Sequence, residues 1–98
     1  MEREYLSAIR NNKRLKLWYA PGERLIEPHA LGRSKEGHLL LRAYQVSGAS
    51  ESGEHEHWKL FRIDRAHSPL VQSESFLGPR AGYKKGDKAM KGGIVAEL

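Results

Sequence analysis

Trp58-Lys59-Leu60-Phe61-Arg62-Ile63-Asp64-Arg65 alternates bulky apolar with charged side chains, the pattern of a strand with one buried and one wet face. Lys59, Phe61, Ile63 and Arg65 share one side, and Trp58, Leu60, Arg62 and Asp64 share the other. Phe61 and Ile63 are assigned inward, because basic residues then stand only at the ends of the buried row, where long stems carry charge out to water. The outward row sets Trp58 beside Arg62, with Asp64 able to fix the direction of the guanidinium. An aromatic next to an oriented guanidinium is the chemistry of an anion-binding surface. The same residues also suit an ordinary solvated face with an intrastrand ion pair of small worth.

Before this strand the chain keeps the same grammar. Residues 2 to 11 bring Tyr5, Leu6 and Ile9 to one helical face, a helix too short to stand in water alone, ended by Asn11-Asn12. Leu15, Leu17 and Tyr19 alternate with Arg14, Lys16 and Trp18 as a first strand. Ala20-Pro21-Gly22-Glu23 has the composition of a type II turn with Pro and Gly at its centre, and Arg24 to Glu27 follow as a second strand limited by Pro28. Leu31-Gly32 resumes pairing before a turn at Ser34-Lys35-Glu36-Gly37. Leu39 to Val46 is apolar on both faces for half its length, a central strand whose second face the helix is expected to cover. Residues 47 to 57 are polar and expected to be mobile. His67-Ser68-Pro69 reads as a turn and Leu70 to Glu74 as a fifth strand. Phe76-Leu77-Gly78-Pro79 is an expected anchor for a flexible tail carrying Arg80, Lys84, Lys85, Lys88 and Lys91 against Asp87, with Ile94 to Leu98 as a last strand or apolar tail.

At 98 residues there is room for one domain, 1–98, divided into a helix (2–11), a β body (13–75) and a basic Gly/Lys-rich tail with a last strand (76–98). No apolar run approaches the ~20 residues of a membrane span, and no signal peptide is expected at the N-terminus. Cysteine is absent, which fits a reducing, cytoplasmic location and rules out thiolate metal sites. A net charge of +5 favours anionic partners such as nucleic acid, nucleotides or acidic protein surfaces. Five or six short strands behind one helix fit a small closed or half-closed β-barrel, and pattern alone does not separate SH3-like from oligonucleotide-binding barrels.

Lys59-x-Phe61-Arg62-x-Asp64-Arg65 resembles the closing signature of WYL domains. Tyr19, then Arg24-Leu25-Ile26-Glu27-Pro28, then Leu41-Arg42-Ala43-Tyr44 follow that family's order and spacing, so the resemblance runs from about residue 5 to the end. The tripeptide that names the family falls on Leu39-Leu40-Leu41, without its Trp and Tyr. The resemblance implies a mainly β fold, a small SH3/Sm-like β-barrel of about five strands with one short N-terminal α-helix. It also implies a ligand-sensing regulatory module, linked to transcription regulation, that binds nucleic acid or a nucleotide through basic residues matching Arg24, Arg42, Lys59, Arg62 and Arg65. Relatives usually carry a winged helix-turn-helix ahead of this domain. A chain with one short helix there would act with a DNA-binding regulatory partner protein, or signal through a homodimer.

From the residues themselves, Lys16 and Trp18, Arg42 and Tyr44, and Trp58 and Arg62 face outward on three strands. If adjacent, guanidinium forks bind phosphate while rings stack on bases, which suits a nucleotide or single-stranded nucleic acid. The WYL resemblance then implies Arg62 as the central contact, supported by Arg24, Arg42 and Arg65. The competing reading puts Trp18, Tyr44 and Trp58 under the helix as core. Lys59 and Arg65 conflict with Arg62 by strand parity, and a strand end or bulge is needed to re-aim Arg65. Lysine in place of arginine at Lys59 loses the bidentate fork. The basic tail, Arg80, Lys84, Lys85 and Lys88, is read either as a clamp on a polyanion or as a solubilising segment; the phosphate-loop spacing is not met. Glu54-His55-Glu56-His57 offers metal-type donors without a third partner, and no metal or cofactor is expected. No nucleophile elbow or carboxylate pair stands out, so no enzymatic activity is expected. The alternative from another class is a protein–protein interaction and oligomerisation module whose edge strands pair with a partner.

Overall fold

The computed structural model describes residues 2–98. Helix α1 (Glu2–Arg10) leads into strand β1 (Lys13–Tyr19), followed by β2 (Gly22–Arg33), β3 (Leu39–Gly48), β4 (His57–Arg62), a 3-10 turn over Ile63–Arg65, β5 (His67–Ser75) and β6 (Gly93–Glu97). All six strands join one antiparallel sheet in the order β4-β3-β2-β1-β5, with β6 on β2. The fold is mainly β with one short N-terminal helix. Among the described residues no ladder joins β4 to β5, so hydrogen bonding does not close the sheet into a ring.

Helix α1 buries Tyr5, Ala8 and Ile9 and ends where Asn12 takes a φ of 51°, a left-handed position that asparagine tolerates. It lies against β1, β2, β5 and β6. Its apolar face completes a core of Leu15, Leu17, Ile26, Leu31, Leu41, Ala43, Phe61 and Ile63. Phe61 and Ile63 are therefore inward, as the alternation requires. The strand itself is shorter than expected, because the chain leaves the ladder after Arg62 and turns through Ile63–Arg65, which carries Arg65 away from the sheet.

Strand β2 organises the sheet. On one side β3 pairs with it from Arg24 to Arg33; on the other, β1 covers Gly22 to Ile26 and β6 covers Ala30 to Arg33. Pro28 falls in the gap between those two partners and beside a register shift with β3, so the strand runs through a residue that lacks an amide donor. It is one strand of twelve residues rather than the interrupted pair expected. The β1–β2 turn centres on Ala20-Pro21, joined by a cis peptide, one residue earlier than the expected type II turn. His67-Ser68-Pro69 opens β5 instead of forming a separate turn.

The second face of β3 is covered by the tail, which corrects the expectation that the helix covers it. Phe76 and Met90 are buried, Met90 packs with Ala30 and Leu40, and Tyr83 and Ala89 lie against that cluster. Gly32 lets Met90 sit against the strand, since a Cβ there would meet the Met90 sulfur at 2.7 Å. The tail is thus packed against the sheet rather than a flexible basic segment, although Leu77, part of the expected anchor, is fully exposed.

Candidate functional site

The outer face of β3 and β4 is built from cross-strand rows: Tyr44 opposite Trp58, Arg42 opposite Leu60, Leu40 opposite Arg62. Alternation puts these side chains on the face away from α1, and the tail returns over part of it. The result is an aromatic layer in which His29 touches Trp58 (ring centroids 4.8 Å), Tyr83 (5.1 Å) and Phe76 (5.6 Å), and Tyr44 meets Trp58 edge-on at 5.5 Å. Trp58 and Tyr83 lie nearly parallel, 23° apart with centroids at 6.1 Å. The Arg80 guanidinium sits 4.3 Å from the Tyr44 ring.

Beneath this layer lies a buried ion cluster. Glu27, 1% exposed, accepts from Arg80 Nε at 2.7 Å and from Arg14 Nε at 3.0 Å, and Arg14 also reaches Glu74 at 2.9 Å. Burial pushes the Glu27 carboxyl up, but hydrogen bonds from Arg80 and Arg14 outweigh it and hold the group below the usual carboxylate range. His29 completes the arrangement. The Arg80 amide donates to its Nε2 at 3.1 Å, so Nδ1 carries the proton and donates to the Glu27 carbonyl at 2.7 Å. Burial keeps this imidazole neutral by lowering its pKa.

The tail closes one side of a cleft of about 370 Å³, lined by Arg42, Trp58, Gly82, Tyr83, Lys84, Lys85, Gly86, Asp87 and Lys88. Asp87 binds Arg42 bidentately, at 2.7 and 3.3 Å, and caps the Ala89 amide at 3.0 Å. The Arg42 hydrogen bond is the main reason the Asp87 carboxyl is held low. Lys84, Lys85 and Lys88 have no ion-pair partner among the described residues. The lining residues carry four cations against one carboxylate, and Glu97 brings a second acid beside the loop, where it accepts from the Gly86 amide at 3.1 Å. Trp58 supplies a half-buried aromatic wall, and its indole nitrogen lies beside Gly82.

Of the residues singled out from the sequence, Arg42, Trp58, Lys84, Lys85 and Lys88 therefore meet in one place, with Tyr44 and Arg80 in the layer beneath. The others do not join them. Arg62 is clamped to its neighbour Asp64 at 2.6 Å, which raises the guanidinium's pKa, and it also donates to His38 Nδ1 at 3.3 Å. Arg65 is exposed on the 3-10 turn. Arg24 is only 4% exposed, on the α1 side of the sheet. It donates to the carbonyls of Tyr19 and Ala20 and to Gln45 Oε1, and packs near the Tyr19 and Phe61 rings. Lys59 points the same way and donates to Ser50 and Ser52 Oγ at 3.0 and 3.2 Å, tying down the loop that follows β3. Gln45 holds that loop as well, at the carbonyls of Ala49 and His55.

Trp18 is exposed at the Trp18–His67 contact on β1 and β5, neither core nor part of the cleft. In the 54–57 run His55 bonds the Gly48 carbonyl and His57 lies 3.5 Å from Glu54. A more open groove of about 560 Å³ beside Arg33, His38, Asp64 and His67 combines a cation with a carboxylate and gathers no excess charge. Glu27, His29 and Asp87 were not anticipated as site-building residues. The available signal was Glu27 and His29 flanking Pro28 between the apolar pairs Leu25-Ile26 and Ala30-Leu31, a place where polar groups need buried partners. No family model, curated protein or solved structure matches this chain.

Proposed function

We propose that this chain is a ligand-sensing regulatory domain that binds an anionic ligand, a nucleotide or single-stranded nucleic acid, in the cleft between Trp58 and the lysine loop. The observation that carries the reading is charge left over: Lys84, Lys85 and Lys88 line an aromatic-walled cleft whose one carboxylate is already engaged by Arg42. Ammonium groups neutralise phosphate, an indole face stacks on a base, and the two together are the recurrent means of holding single-stranded nucleic acid. The resemblance to WYL domains supports the same class of ligand and a link to transcription regulation through a DNA-binding partner protein. It also supports assigning the bent sheet to the SH3/Sm-like type, half-open between β4 and β5. Arg62 and Arg24 then act as framework, not as first contacts, since each already has its hydrogen-bond partners. No catalytic role is assigned.

The test is binding of a labelled single-stranded oligonucleotide at 50 and 300 mM salt to the protein and to its Lys84→Ala/Lys85→Ala/Lys88→Ala variant. Salt-sensitive binding that the triple variant abolishes supports the reading; equal binding by both proteins removes it. A second reading is favoured by the sheet edges left unpaired among the described residues on β4, β5 and β6, with Leu70 largely exposed on β5. Edge pairing with another copy or another protein would make the domain an oligomerisation module. A dimer in light scattering that persists in the triple-lysine variant, without oligonucleotide binding, selects this alternative.

A further inference from the structure

Resting on the anion-binding reading of the cleft, we infer that its ligand is a single nucleotide with two or three phosphates, rather than a strand of nucleic acid. Three features of the site point to the small ligand. The cleft is about 370 Å³, near the lower end of small-molecule sites and of the order of one base with its sugar and phosphates. Its three lysines without an ion-pair partner come from five consecutive residues, Lys84 to Lys88, and all line the one cleft. A strand carries one charge per nucleotide spaced along its backbone and sets only about one phosphate in such a place. A nucleoside di- or triphosphate concentrates its charge there.

The second feature is the type of donor. The one guanidinium of the cleft, Arg42, is already paired with Asp87 through Nε and Nη2, so the cations without a partner are ammonium groups. These act as movable point charges suited to a flexible phosphate chain, with no fixed planar geometry to impose on a backbone. The third is the shortness of the aromatic wall, Trp58 with Tyr83 nearly parallel to it at 6.1 Å. Trp58 is half-buried, its indole nitrogen has no hydrogen-bond partner among the described residues, and Gly82 beside it leaves room that a larger residue would take. Its neighbours Tyr44 and His29 are engaged behind it, Tyr44 under Arg80 and His29 between Glu27 and the Arg80 amide. Trp58 and Tyr83 are stacked on each other too closely to admit a base between them, so they offer one short stacking platform, whereas a strand-binding surface needs a succession of rings.

The experiment follows indole fluorescence of a Trp18→Phe protein, in which Trp58 is the remaining tryptophan, during titration with ATP, ADP, AMP, sodium tripolyphosphate and a ten-residue oligothymidylate in metal-free buffer. The expected order is ATP and ADP about tenfold tighter than AMP and than tripolyphosphate, with the oligonucleotide weaker still per molecule. The Lys84→Ala/Lys85→Ala/Lys88→Ala variant, checked for folding by its unfolding midpoint, is expected to lose the preference for ATP and ADP over AMP. If the oligonucleotide binds through these lysines and ADP does not, the ligand class is overturned while the anion site stands. Tripolyphosphate matching ATP also overturns it, since the base then adds nothing. If none of the five binds, the anion site itself falls with it.

Discussion

Around Glu27, two arginines and a histidine are locked to one buried carboxylate and its backbone; at the neighbouring cleft, three lysines share a rim whose one acid is taken. Both regions lie on the same face of the sheet and both come from the chain's return over it. In the first, every cation has a partner within 3.0 Å, and the cluster fastens the tail to β2. In the second, charge is left uncompensated at the surface, where it adds nothing to the fold. The contrast shows that a net charge of +5 is no measure of available charge, because the paired arginines are framework and only the unpaired lysines are left open to an anion.

The largest expected effect lies in the first region. Glu27→Gln leaves Arg80 without its counter-charge under the tail, and a buried pair broken on one side costs about 3–5 kcal/mol. Arg14 and Arg80 keep some contact with water, so about 2–4 kcal/mol is expected from urea unfolding. The triple lysine variant is the counterpart, with each exposed lysine changing stability by at most about 0.5 kcal/mol while ligand binding is lost. If Glu27→Gln proves neutral, or the lysine variant unfolds, the division between framework and free charge is wrong.

Acid sharpens the same contrast. His29 is neutral and held below its ordinary value near 6.5 by burial, so on acidification the unfolded chain takes up this proton first. Stability is therefore full above pH 6.5 and is lost as pH falls from there toward the folded pKa of His29. Glu27 and Asp87, both held low, continue the loss below about pH 4.5 as the unfolded carboxyls protonate first. The groups facing His29 are the Arg80 guanidinium, which adds to the lowering, and Glu27, which opposes it. The melting temperature is expected to fall between pH 7 and 5.5 and to be flatter there in His29→Gln. A melting temperature that rises on acidification over this range contradicts the neutral Nδ1–H assignment.

Within the cleft, Asp87 is the link between the two kinds of region, since it is paired like Glu27 but lines the open site. Asp87→Asn removes one negative charge from the rim while the amide oxygen still accepts from the Ala89 amide. Several-fold tighter binding of ADP is expected, with about 1 kcal/mol lost from the fold as the Arg42 pair weakens. Titration calorimetry of the variant reads the first effect and urea unfolding the second. Weaker ADP binding would mean that Asp87 positions Arg42 for the ligand instead of competing with it.

Much of the fold was legible because it rests on short-range alternation. Phe61 and Ile63 could be placed inside from their neighbours alone, and Tyr5, Leu6 and Ile9 marked a helix that had to dock. What was not legible depends on the conformation of turns and on contacts across the chain. Nothing near Arg24 in sequence announces that the Tyr19 and Ala20 carbonyls come within 3.0 and 2.6 Å of it; the turn's conformation does that. Arg42 looked free until Asp87, forty-five residues on, was folded onto it. The tail was read by its glycines and lysines as loose, whereas Phe76, Tyr83 and Met90 hold it to the sheet as single apolar residues seven apart, too sparse to fill the alternating face of a strand or the i, i+3, i+4 face of a helix.

The smallest expected effect lies on the opposite face, under α1, and tests whether the polar groups there follow the same economy. Tyr5 is fully buried, and its hydroxyl has no hydrogen-bond partner among the described residues. Burial pushes its pKa up to about 12, since the phenolate has nothing to stabilise it. A buried donor left unpaired costs free energy that the ring's packing must offset, and phenylalanine keeps the ring while removing the hydroxyl. Tyr5→Phe is therefore expected to be neutral or to stabilise by up to about 1 kcal/mol, read from the urea midpoint at constant slope. Most buried tyrosines behave oppositely, because their hydroxyls are bonded. A loss of more than about 1 kcal/mol would show that the hydroxyl is satisfied after all, by water under the helix, and would bring Tyr5 into line with Glu27 and His29 as a paired polar group of the framework.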